Sequence, residues 1–60
     1  MTVKDFCAKC ANWYTVEITS NSGEILFHGT TLDAYYSKYA NKQVGEINLD
    51  YEGLVLITLE

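Results

Sequence analysis

"VGEINLDYEGLVLITLE", residues 44 to 60, decides the fold. Ile47 and Leu49 alternate with Glu46, Asn48 and Asp50, the period of two expected of a strand with one wet face. Residues 50 to 53, "DYEG", supply a turn, and "LVLITLE" from 54 to 60 is a nearly unbroken apolar run. The chain therefore closes in a β-hairpin. A last strand that is apolar on both faces favours a central place in a sheet, or coverage by another chain.

Immediately upstream, "GTTLDAYYSKYANK" (29 to 42) reads as a helix. Gly29 offers a break, and Thr30 with Asp33 forms a capping pattern. Leu32, Tyr35, Tyr36 and Tyr39 then recur at helical spacing, which predicts a helix over 31–40 with that face on the sheet. Asn41 and Lys42 suit its C-terminus. Further back, "WYTVEIT" (13 to 19) and "EILFH" (24 to 28) flank the turn formers "SNSG", which predicts a first hairpin. At the start, Thr2 and Asp5 form another capping pattern, and Val3, Phe6, Cys7 and Cys10 fall on one stripe of a helix over 2–11.

The order is α-β-β-α-β-β, with a faint repeat of helix and hairpin and no linker. The economical solution is a two-layer α+β domain spanning residues 1–60: a four-stranded, mainly antiparallel sheet with two short helices on one face. A chain this short buries only about 60% of its unfolded surface, so a second chain or other reinforcement would help it.

Composition narrows the function. At 48% hydrophobic and 13% aromatic the chain is expected to fold. Eight acids against four lysines, with no arginine, give a net charge of −4, which opposes direct nucleic-acid binding. With no long apolar run and no secretory pattern at the start, the reading is cytoplasmic, without a membrane segment.

Strand alternation sorts side chains to two faces. Tyr14, Val16, Ile18, Ile25, Phe27, Ile47, Leu49, Val55, Ile57 and Leu59 are assigned to the helix side. Trp13, Thr15, Glu17, Leu26, His28, Glu46, Asn48, Leu54 and Leu56 are assigned to the open side. Four sizeable apolar residues, Trp13, Leu26, Leu54 and Leu56, then stand on an uncovered face rimmed by acids such as Glu17 and Glu46, while the four lysines lie on or beside the helices. Such a surface suits a basic protein partner or a second copy of the chain.

Cys7 and Cys10 stand in C-x-x-C spacing. A redox pair needs its first sulfur at a helix N-terminus, whereas these sit mid-helix and near the negative end. Zinc needs four ligands, and two Cys with His28 leave one missing unless two chains pool their thiolates. Packing as small hydrophobes with Val3 and Phe6 is the favoured reading. Thr30 and Asp33 lie near His28 as a candidate nucleophile and orienting carboxylate, but helix capping explains both better. His28 reads as an ordinary strand-end histidine, and no glycine-rich phosphate loop is present, so neither a catalytic centre nor a cofactor is expected.

With Gly29 and Thr30 opening a helix that bears Leu32 and Tyr36, then Val44 and Ile47, then Leu54 to Leu59, the chain resembles small phage and prophage open reading frames. That resemblance implies an accessory protein acting in the host cytoplasm, akin to the small, acidic, non-enzymatic anti-CRISPR inhibitors, as an inhibitor or adaptor. The cysteine pair departs from the leucine-type residues usual on the first helix, which leaves a metal role open. The leading expectation is thus a non-enzymatic docking module using Trp13, Glu17, Leu26, Glu46, Leu54 and Leu56. A homodimeric metal protein holding its ion through Cys7 and Cys10, and a small-molecule sponge with its ligand in a dimer crevice, are the alternatives.

Overall fold

The computed structural model describes residues 1–10, 14–50 and 52–60. Helix α1 (Val3–Ala8) is followed by β1 (Thr15–Thr19), β2 (Ile25–Thr30), α2 (Thr31–Tyr35), β3 (Val44–Leu49) and β4 (Val55–Leu59). The expected α-β-β-α-β-β order is present. The sheet runs β2-β1-β4-β3, so the terminal strand is central, as its apolar run requires. Two hairpins, β1–β2 and β3–β4, are antiparallel, and they are joined by a parallel pairing of β1 with β4. The sheet is therefore mixed.

Capping at α1 follows the sequence pattern closely. The Asp5 N–H donates to Thr2 Oγ1 at 3.1 Å, and the Thr2 N–H donates back to the Asp5 carboxylate at 3.0 Å. That backbone donor, with the Thr2 hydroxyl, holds the Asp5 carboxyl below its usual range. The first N–H groups of a helix have no partner within it. Here the Val3 and Lys4 N–H groups donate to the carbonyls of Lys42 (3.1 Å) and Ala40 (2.9 Å), which ties α1 to the connection between α2 and β3. The residues preceding α1 reach β3 as well: the Val44 N–H donates to Met1 O at 2.8 Å, and Thr2 bridges Gln43.

Both helices stop earlier than the stripe of apolar residues predicts. At α1 the Lys9 and Cys10 N–H groups bond three residues back, to Phe6 O and Cys7 O, so the last turn tightens after Ala8. In α2 the Asp33 N–H donates to Thr30 Oγ1 at 3.2 Å, which confirms the cap, but the helix ends at Tyr35 rather than near residue 40. Ser37 is the reason. Its hydroxyl donates to Ala34 O and accepts from the Tyr39 N–H, a local exchange that competes with helical bonding. The chain continues to Lys42 in tight turns, with the Ala40 and Lys42 N–H groups bonding to Ser37 O and Tyr39 O.

The core lies between the helices and the sheet. Ile18, Ile57, Val3 and Val16 are fully buried, joined by Cys7, Ala34, Val55 and Leu59. Tyr35 and Tyr39 pack against this cluster, but the rest of the predicted tyrosine stripe does not. Tyr36 is 76% exposed and Leu32 is exposed, because α2 buries the side that carries Thr31 and Ala34, and Leu32 and Tyr36, four residues apart, share the outward side. Gly29 also departs from expectation, lying within β2 instead of breaking it.

Two strand irregularities matter for the faces. In the β1–β2 pairing Ile18 opposes Phe27 and Thr19 opposes Ile25, so Leu26 is an extra residue. In the β3–β4 pairing Val44 opposes Leu59 and Glu46 opposes Thr58, so Gly45 is an extra residue. A Cβ on Gly45 would lie 3.3 Å from three backbone atoms of Leu59 and Glu60, so the close approach of the two strands suits glycine. Gly23 and Gly53, both with positive φ, close the two hairpin turns.

Candidate functional site: the open face of the sheet

The side chains opposite the core can be read off the pairings. One row across the sheet is Ile25, Thr19, Thr58 and Glu46; the next is His28, Glu17, Leu56 and Asn48. Thr15 and Thr30 oppose each other beyond that. The Thr19 and Thr58 hydroxyls are hydrogen-bonded at 3.3 Å, which joins the two central strands on this side. Leu56, on the inner strand β4, is half-buried between Glu17 and Asn48.

This face differs from the one expected. Leu26 does not stand on it: the extra residue in β2 puts Leu26 on the same side as Phe27, packed against the core, and sends Ile25 outward at 62% exposure. The assignments of Ile25 and Leu26 are thus exchanged, because a bulge shifts the alternation by one residue. Trp13 lies outside the described residues. Leu54 and Leu56 remain half-buried residues of β4 and the turn before it. The open face is consequently more polar than four large apolar residues would make it, with Leu56 as its apolar centre.

Its charge is as expected. Glu17 and Glu46 lie on the face, Glu24, Asp50 and Glu52 lie in the turns at the strand ends, and Glu60 follows β4. The lysines belong to the other layer. Lys4 is on α1 with its Nζ 5.1 Å from the centre of the Tyr35 ring, Lys38 has its Nζ 5.4 Å from the Tyr39 ring, and Lys9 and Lys42 end the helical segments. His28 stands beside Glu17 across the β1–β2 pairing.

On the helix side an open groove of about 710 Å³ runs between the end of α1 and the β3–β4 hairpin. Phe6, Cys10, Tyr14, Ile47, Leu49 and Val55 contribute to its walls. The sequence reading assigns Tyr14 and Leu49 to the covered core, but they are 41% and 76% exposed; for Leu49 the reason is that α2 packs chiefly on β1 and β2 and leaves this end of β3 uncovered. Periodicity gives the face of a residue but not the reach of the layer above it.

The cysteines are packing residues in this geometry. Cys7 is in the core, and burial, with the neighbouring Cys10, pushes its thiol up to about 11; burial also raises Cys10, whose Sγ–H donates to Phe6 O at 3.5 Å. Both shifts oppose thiolate formation. Delivering Cys7 to an ion shared between chains would require α1 to lift from the sheet. Among the described residues no three His, Cys, Asp or Glu side chains gather as a metal cluster. No helix among the described residues is long and apolar enough to cross a membrane.

Comparison with known proteins adds no relative: no family model, no curated protein and no solved structure matches the chain.

Proposed function

We propose that this chain is a non-enzymatic protein-docking module whose open sheet face binds a basic protein surface. The observation that carries the reading is the segregation of charge. The open face presents Glu17 and Glu46 around Leu56, with further acids in the adjoining turns, while all four lysines stand on the helical layer. An apolar centre with an acidic surround matches a basic partner in sign and excludes acidic ones by repulsion. Relative to the sequence reading, Leu26 leaves the contact set and Ile25 joins Leu54 and Leu56 in it. The likeness to small phage and prophage reading frames supports an inhibitor or adaptor working in the host cytoplasm.

The test is affinity capture with two baits, the native chain and Leu56→Glu, at low and high salt. Leu56 is half-buried on the open face, so its replacement is expected to preserve the circular dichroism spectrum. A basic protein retained by the native bait, released by salt and lost with Leu56→Glu supports the reading. Identical captures by both folded baits would overturn it.

A further inference from the structure

The open face carries one side chain of a kind that changes charge near neutral pH. His28 is the chain's single histidine and is exposed. Imidazole gains its proton between about pH 8 and pH 5, whereas carboxylates as a class stay ionised above about pH 5. Cys7 and Cys10, both raised by burial, keep their protons throughout that range. The terminal amino group lies at the opposite edge of the sheet, where Met1 O accepts from the Val44 N–H on β3.

The hydrogen-bond phase fixes what stands beside it. The Thr31 N–H donates to Tyr14 O at 2.9 Å, so antiparallel alternation makes Val16–Gly29 and Ile18–Phe27 the mutually bonded pairs and Glu17–His28 the non-bonded pair between them. In such a pair the Cα atoms approach to about 4.5 Å and the side chains lie closest. Leu56 follows Glu17 in the same row, so His28 flanks the carboxylate that adjoins the apolar centre. The other charged groups around it are farther off or on the other side: Glu46 is in the next row on β3, Glu24 is in the turn before β2, and Asp33 of α2 lies by Gly29 on the core side. All four lysines stand on the helical layer, so His28 is the one group on the open face, among the described residues, able to carry a positive charge.

From this we infer that protonation of His28 weakens the hold of the open face on a basic partner, so that docking is graded by pH. The inference rests on the docking reading of that face and adds its regulation. With His28 neutral, the face presents Glu17 and Glu46 and no cation. With His28 protonated, an imidazolium stands against Glu17, cancels the charge of that carboxylate at a distance and repels the lysines or arginines of the partner. His28 is exposed and solvent screens its charge, so the effect is a modulation of about threefold in affinity and not an on-off switch. Binding falls as pH falls.

Fluorescence anisotropy of a labelled decalysine peptide tests it, on the native chain, His28→Gln and His28→Lys, at fixed ionic strength. The expected result is binding by the native chain that weakens about threefold between about pH 7.5 and about pH 5.5. His28→Gln should lose that pH dependence, and His28→Lys should bind as weakly at the higher pH as the native chain does at the lower. His28 is exposed, so both replacements leave the fold intact, which circular dichroism verifies. A pH dependence that persists in His28→Gln, or native binding that is equal at the two pH values, overturns the inference and leaves the docking reading standing. A native chain that binds the peptide at neither pH overturns both.

Discussion

The two hairpins are built alike and differ in how their extra residue is announced. Each pairs an inner strand with an outer one, and each outer strand carries one residue too many: Leu26 in β2 and Gly45 in β3. Glycine marks the second insertion in the sequence, since the two backbones approach there so closely that a Cβ would push its neighbours aside by a few tenths of an ångström. Nothing in "EILFH" marks the first. An insertion at a leucine exchanges the faces of two neighbouring apolar residues without disturbing the apolar content of the segment, so alternation remains a sound guide only between bulges.

The inner strands are where the hairpins are equivalent, and there the largest losses are expected. Ile18 and Ile57 are both fully buried and oppose each other in the parallel β1–β4 pairing. Replacing either by alanine should cost about 2–5 kcal/mol in urea unfolding, enough to unfold much of a domain this small. A cost below about 1 kcal/mol at one of them would show that the two hairpins do not share a single core.

The outer strands separate the hairpins. Leu26→Ala should destabilise by about 2 kcal/mol, since Leu26 packs on the core, whereas Ile25→Ala should change stability by less than about 0.5 kcal/mol. The reverse order would restore simple alternation and remove the bulge. In the other hairpin, Gly45→Ala forces a methyl against main-chain atoms of Leu59 and Glu60, and about 1 kcal/mol of destabilisation is expected. A smaller effect follows at the N-terminus, where α1 is tied to the start of β3. Thr2→Ala removes the cap on the Asp5 N–H and should cost about 1 kcal/mol by thermal unfolding.

Beneath these lies an effect confined to alkaline pH. Burial raises the Cys7 thiol from 9.0 in the unfolded chain to about 11 in the folded one, so the folded state holds its proton more tightly. Its contribution to stability is complete below pH 9 and declines as pH rises toward 11. Cys7→Ala should flatten that decline, and at neutral pH Cys10 should alkylate well before Cys7. Equal alkylation rates in the native state would show that the α1 end of the core is open.

How much of this was legible in advance depends on the range of the interaction concerned. Thr2 with Asp5 and Thr30 with Asp33 marked the helix starts correctly, because a cap is formed within four residues. The helix ends were not legible from spacing alone: a stripe through Tyr36 and Tyr39 is compatible with a longer helix, and only the competing Ser37 hydroxyl bonds cut it short. Of the expected docking residues, Glu17, Glu46, Leu54 and Leu56 lie on the open face or at its border, Leu26 faces the core, and Trp13 lies outside the described residues.

By itself the sequence determined the set of elements and the segregation of lysines from acids, and it narrowed the last strand to a central place or coverage by another chain, since each follows from local propensity or from the apolarity of a segment. Tertiary structure alone decided the strand order with its parallel β1–β4 junction, the exchange of Ile25 and Leu26, and the groove that leaves Leu49 exposed. Those depend on which main-chain groups meet across the sheet and on how far a short helix reaches over it, and neither quantity is encoded in the order of neighbouring residues.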